Sequence, residues 1–247
     1  MQPMLTRAFL LGAIAVGLVY AVYQHRQHLE PDSYSTDRWV IFDFDGTVGH
    51  THNLMIQGVN HFAPLYGYEP IAEQEVPSLR ERSTRDLVQN RLHIHWYQLP
   101  FFHYRLKRWG ASKFSQVHPF PGIREALQAI RKAGYKIGVV SSNSQLFITN
   151  FFKRHQLPMF DGLEEASVFG KHHALKKCRF NYRIDPKNVI YIGDEARDIE
   201  AAQKAHMPCL VVAWGFNTEN YLAKHNPAGI IKTPRDILSV VKGFLPS

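Results

Sequence analysis

The chain has 247 residues, 45% of them hydrophobic and 13% aromatic, which allows one substantial core with a smaller appended module and excludes a disordered or collagen-like chain. Its formal net charge of +8 is concentrated between Arg80 and Lys113, where eight Lys or Arg face only Glu81 and Asp86. Such a segment is either a solvated helical face or a field that draws anionic substrates or lipid headgroups, and without a nucleic-acid motif no nucleic-acid partner is expected.

At the amino terminus, Ala8 to Tyr23 (AFLLGAIAVGLVYAVY) carries no charge and is apolar all round, which predicts a hydrophobic anchor helix over residues 1–23. Its 16 residues fall short of the ~20 that span a bilayer, but Leu5, Thr6 and snorkelling Arg7 and Arg26 extend it. A cleaved signal peptide is the alternative, although YQHRQHLEP offers no small-x-small cleavage site. The polar residues 24–38 read as a linker.

Trp39 to Phe42 (WVIF) then reads as a buried parallel strand running straight into Asp43-Phe44-Asp45-Gly46-Thr47. Alternation puts Asp43 and Asp45 on one side with Phe44 turned away, and Gly46 lets the backbone turn sharply. Two carboxylates sharing a small site repel each other, so a hard cation such as Mg²⁺ is their natural partner. An amphipathic pattern over Ile123 to Ala133 leads, past Gly134, into the strand KIGVV (136–140), which opens on Ser141-Ser142-Asn143, a set of hydroxyls and backbone N–H groups suited to an anion. Phe169-Gly170-Lys171 precedes a helical pattern, and the strand VIYI (189–192) ends in Gly193-Asp194-Glu195-Ala196-Arg197-Asp198. Repeated strand, polar turn and helix predict a parallel sheet with every functional turn at its carboxyl edge. The cysteines, Cys178 and Cys209, sit in core-facing segments without metal-ligand spacing.

DFDGT, SSN, GK and GDEARD, in this order, resemble the four motifs of haloacid dehalogenase (HAD) superfamily hydrolases. From FPGIREAL (120–127) through PCLVVAWGFNTENYL (208–222) the chain is similar to the phosphoglycolate phosphatase-like branch. The resemblance implies an α/β, Rossmann-like core (39–47 and 119–247) with its sheet flanked by helices, and an inserted helical cap (48–118) with helices near 53–66, 83–90 and 100–109. It implies that Asp43 is the nucleophile and forms an aspartyl-phosphate. Asp45 is then acid and base, and Mg²⁺ is held by Asp43, the Asp45 carbonyl and Asp194. Ser141 or Ser142, Asn143, Gly46 and Lys171 cradle the phosphoryl group, with Glu195 and Asp198 as an outer acidic layer. The second acid, Asp45, favours phosphoryl transfer over dehalogenation.

Specificity is expected in the cap, with Arg80, Arg82 and Arg85 as candidate contacts for an anionic substrate. GHTHN (49–53) departs from the branch's usual cap entry and argues against phosphoglycolate itself. The reading is thus a phosphatase for a small phosphorylated metabolite, anchored by its amino-terminal helix with the catalytic domain facing the cytoplasm, where such metabolites, Mg²⁺ and reduced cysteines occur. A phosphatase for a protein or membrane-presented phosphate and a non-catalytic tethered scaffold are the alternatives.

Overall fold

The computed structural model describes residues 33–167 and 170–245. The expected anchor over 1–23, most of the linker, and Phe169 lie outside the described residues. Among the described residues no helix is long and apolar enough to cross a membrane. The end of the expected linker is pinned: the Ser35 N–H donates to Arg183 O at 2.7 Å and the Lys136 N–H to Arg38 O at 2.8 Å.

The strand WVIF forms as β1 (Trp39–Phe42), followed by a short β2 (Gly49–His50). The helical insertion comes next. It comprises α1 (His52–Tyr66), α2 (Val76–Leu79), α3 (Thr84–Asp86) running into a π-turn over Leu87–Arg91, and α4 (Leu99–Ser112). The chain returns through β3 (His118–Pro119), whose antiparallel pairing with β2 closes the neck of the insertion. Then follow α5 (Ile123–Lys132), β4 (Lys136–Ser141), α6 (Gln145–Arg154), β5 (Gly162–Glu165), α7 (Lys171–Asn181), β6 (Val189–Gly193), α8 (Ala196–Lys204), β7 (Cys209–Val212), α9 (Glu219–Ala223), β8 (Gly229–Ile231) and α10 (Ile237–Phe244).

Six strands form one all-parallel sheet in the order β5-β4-β1-β6-β7-β8. Its central strands are continuous apolar runs because both faces are covered. Successive residues of β1 point to opposite sides. Trp39 and Ile41 therefore join Leu175, Cys178 and Ile199 in one cluster, while Val40 and Phe42 join Leu127, Ile148 and Val241 in the other. Both cysteines are buried and free. The insertion keeps its own cluster, in which Ala63, Tyr68, Leu92, Ile94, Leu99 and Phe102 pack together.

The strand order fixes where chemistry can occur. From β1 the chain proceeds outward to β4 and β5, then crosses to β6 on the other side of β1 and proceeds outward again. Helices leave in opposite directions at that switch point, opening a crevice beyond the carboxyl ends of β1, β4 and β6. Asp43, Ser141 and Asp194 all stand at those ends.

Candidate active site

Asp43 extends β1 by one residue, its N–H donating to Ile192 O at 2.8 Å, and its side chain is buried. Phe44 points away, meeting Phe151 and Phe147 edge-on with ring centroids 4.8 and 5.7 Å apart. The Phe44 carbonyl then accepts N–H groups from Val48 (3.0 Å) and Gly49 (2.8 Å), curling the chain back over the strand end. Gly46 sits in this curl at φ +71°, and a Cβ there would lie 2.0 Å from Asp194 Oδ2. The turn and the close approach of the two motifs both require glycine.

Lys171, the first residue of α7, crosses the crevice to bond two acids. Its Nζ donates to Asp43 Oδ2 at 2.7 Å and to Asp198 Oδ1 at 2.5 Å. Asp198 is saturated: Tyr191 OH also donates to Oδ1, while the N–H groups of Asp194 and Glu195 donate to Oδ2 at 3.1 and 3.0 Å. Asp194 is held by the Phe216 N–H on Oδ2 (2.7 Å) and by Thr47 Oγ1 on Oδ1 (3.3 Å). Asn143 Nδ2 donates to Asp45 Oδ2 at 2.7 Å, and the Asn143 N–H donates to Ser141 Oγ at 3.1 Å. Ser141, the last residue of β4, is buried, whereas Ser142 lies on the wall of the adjoining cavity. Glu195 accepts from Arg197 Nη2 at 2.5 Å and from Thr84 Oγ1 of the insertion.

Burial raises the Asp43 carboxyl well above its ordinary value in spite of Lys171, with Asp198 and Asp194 adding to the rise. Asp194 is likewise pushed well up, by burial and then by Glu195 and Asp198. Burial also raises Asp45. Asp198 goes the other way, because Lys171 and Arg197 outweigh the cost of its burial. For Lys171 burial favours the neutral amine, but Asp198 and Asp43 more than compensate and raise it above its ordinary value. The site is thus short of positive charge around Asp43 and Asp194, a deficit that a hard cation removes.

Carboxylate oxygens of Asp43, Asp194 and Asp198 lie within 4.8 Å of one another. Asp198 already accepts four hydrogen bonds, against two each for Asp43 and Asp194, so the latter two keep more lone pairs for an ion. An all-oxygen, acidic donor set fits Mg²⁺.

The structure brings Asp43, Asp45, Gly46, Ser141, Asn143, Lys171, Asp194, Glu195 and Asp198 together, and it leaves the three insertion arginines out. Arg80 donates from Nε to Phe216 O (2.7 Å) and from Nη2 to Gly215 O (3.0 Å), clasping the insertion to the loop after β7. Arg82 pairs with Asp86 at 3.2 Å, and Arg85 is exposed. None of the three lines the cavity that adjoins the acids: Arg80 is taken by the carbonyls of Gly215 and Phe216, Arg82 by Asp86, and Arg85 faces solvent.

Three further side chains complete the site. Thr47 steadies Asp194, although it stands inside the first motif. Arg197 lines the cavity, and its Nε has no hydrogen-bond partner among the described residues; it lies within GDEARD, so its signal was its position between two motif acids. His52 places Nε2 3.7 Å from Asp194 Oδ2. Burial and the nearby Arg80 charge push this imidazole down to about 4, so it is neutral near pH 7.

The family model of haloacid dehalogenase-like hydrolases matches residues 40–212. A phosphoglycolate phosphatase of Synechococcus elongatus is 32% identical over 204 residues, 82% of this chain and 96% of that protein. The pyrophosphatase PpaX of Listeria innocua is 26% identical over 216 residues, 82% of this chain and 95% of the relative. Among solved structures, a predicted phosphatase from Clostridium acetobutylicum superposes with a TM-score of 0.72 at 18% identity, covering 85% of this chain and all of the other, which shows a shared fold. The chain belongs to the haloacid dehalogenase-like hydrolases, within the phosphoglycolate phosphatase-like branch of phosphatases.

Proposed function

We propose that the protein is a Mg²⁺-dependent phosphatase that hydrolyses a small phosphomonoester through an aspartyl-phosphate on Asp43. One observation carries the reading: Lys171 Nζ lies 2.7 Å from Asp43 Oδ2 and 2.5 Å from Asp198 Oδ1, so a buried nucleophile and a fixed cation stand side by side at the switch point. Asp43 attacks phosphorus along the crevice axis. Asp45, held by Asn143 two residues further on, delivers a proton to the leaving oxygen and then takes one from the hydrolytic water. Lys171, with the Ser141–Asn143 turn, offsets the charge on the phosphoryl oxygens. Asp198 holds Lys171 in place and stays ionised. Asp43, Asp194 and the Asp45 carbonyl would hold Mg²⁺, which when bound would offset the repulsion between an anionic nucleophile and an anionic phosphate.

The insertion acts as a cap that excludes water and contacts the rest of the substrate, and Thr84 bonded to Glu195 ties its motion to the acidic motif. The test is hydrolysis of p-nitrophenyl phosphate by the full-length chain with Mg²⁺, with EDTA, and as Asp43→Asn. Turnover is expected with Mg²⁺ only, and Asp43→Asn is expected to lose about 10⁴-fold or more in kcat. Retention of wild-type turnover by Asp43→Asn overturns the mechanism. No turnover from folded protein with Mg²⁺ favours a scaffold.

A further inference from the structure

A cavity of about 240 Å³ runs from the acids into the insertion, between α1 and α4. Its floor is polar, made by Asp45, Ser142, Asn143 and Arg197, where a phosphoryl group belongs. Its walls are mostly hydrocarbon. Leu54 and Val59 line it from α1, Leu92 from the π-turn's end, and Leu99, Phe102 and Leu106 from α4. The volume lies below the ~300–1,000 Å³ of sites for drug-sized ligands, which suits a small ester.

The polar groups on those walls are largely committed. Arg91 is fully engaged by Glu75 and the carbonyls of Glu69 and Pro70. Glu195 is shared between Arg197 and Thr84. Burial lowers the His103 imidazole, leaving it uncharged near neutrality. Lys107 alone is a wall cation with no acidic partner among the described residues. A substrate carboxylate would have to reach Lys107 or be buried unpaired, which is costly.

We propose that the alcohol half of the substrate is an uncharged apolar body, an alkyl, prenyl or aryl group, which the α1/α4 cavity takes up while its phosphate rests on the floor; this rests on the phosphatase reading above. The hydrolysis step is the one already given: the P–O ester bond breaks, the alcohol leaves with the proton from Asp45, and water later releases inorganic phosphate. Burying each methylene contributes to kcat/KM without touching the reacting atoms.

The experiment compares kcat/KM of the full-length protein with Mg²⁺ on ethyl, butyl, hexyl and octyl phosphate, on phosphoglycolate and on p-nitrophenyl phosphate. The expected result is a rise of about fourfold per methylene, equivalent to ~0.8 kcal/mol, until the cavity is full, with hexyl phosphate well above phosphoglycolate. Leu106→Asp should lower the hexyl-to-ethyl ratio about tenfold or more. Its ethyl phosphate turnover reports whether it has folded. A flat alkyl series with phosphoglycolate preferred, and a preference lost selectively in Lys107→Met, overturns the apolar assignment while leaving the phosphatase reading intact. No hydrolysis of any ester by folded protein overturns both.

Discussion

Gly46 shows how little freedom the site leaves a single residue. At φ +71°, with a would-be Cβ 2.0 Å from Asp194 Oδ2, it sets the separation between the first and last acidic motifs. Gly46→Ala should therefore lower kcat by about 100-fold or more and destabilise the fold by ~1–3 kcal/mol, since backbone strain and a steric clash act together. Steady-state kinetics beside a thermal melt check this; an active, unshifted Ala variant would show that the turn can relax. Asp198 presents the opposite case. It touches no substrate-facing surface, yet it fixes Lys171 and gathers the N–H groups of Asp194 and Glu195, so its role is positioning.

At the level of elements, the insertion is held by a few polar clasps and its own small core. Within it, Arg91 donates to Glu75 through Nε (2.5 Å) and Nη2 (2.9 Å), tying the π-turn to the segment before α2. Hydrogen bonds from Arg91 hold the Glu75 carboxyl below its ordinary value of 4.5. A carboxyl lowered in the folded state contributes stability that is present above pH 4.5 and is lost as pH falls through the folded value. The pair is partly solvated, so the contribution is less than ~1 kcal/mol, or up to ~2–4 °C in Tm for a chain of this size. Melting curves of wild type and Glu75→Gln should differ at pH 7 and converge as pH falls below 4.5 through the lowered folded value. A difference independent of pH down to the acid limit of folding would mean that the pair does not act through ionisation.

For the whole molecule, three acids buried at one sheet edge are a standing electrostatic cost, offset only partly by Lys171. A cation that binds the folded state alone repays it: at 100 times Kd the gain is ~2.7 kcal/mol, which at this size raises Tm by about 5 °C or more. Thermal scans with Mg²⁺ and with EDTA should show that difference, and Asp194→Asn should abolish it. Coincident scans for wild type would argue against an ion held by Asp43 and Asp194. The same sheet edge explains why the insertion and the core form one working unit: the crevice needs a lid, and Arg80 and Asn217 join lid and core at the loop after β7 while Thr84 joins them at Glu195, after β6.

The sequence by itself determined the three central strands WVIF, KIGVV and VIYI, the order of the four motifs and the residues they carry, the acids and Lys171 among them. These depend on local pattern: an apolar run followed by a polar turn is the same signal wherever the strand ends in space. The expected helices near 53–66 and 100–109 correspond to His52–Tyr66 and Leu99–Ser112, while 83–90 became a short helix with a π-turn and Val76–Leu79 was not foreseen. Only the tertiary structure decided which charges face the substrate. Arg80, Arg82 and Arg85 look in sequence like anion contacts, but the fold uses Arg80 as a clasp and turns Arg85 to solvent, while Arg197, His52 and Thr47 reach the acids across the crevice. The apolar cavity is likewise invisible in the chain, because its lining comes from segments far apart in sequence, and packing between them, not local periodicity, sets it.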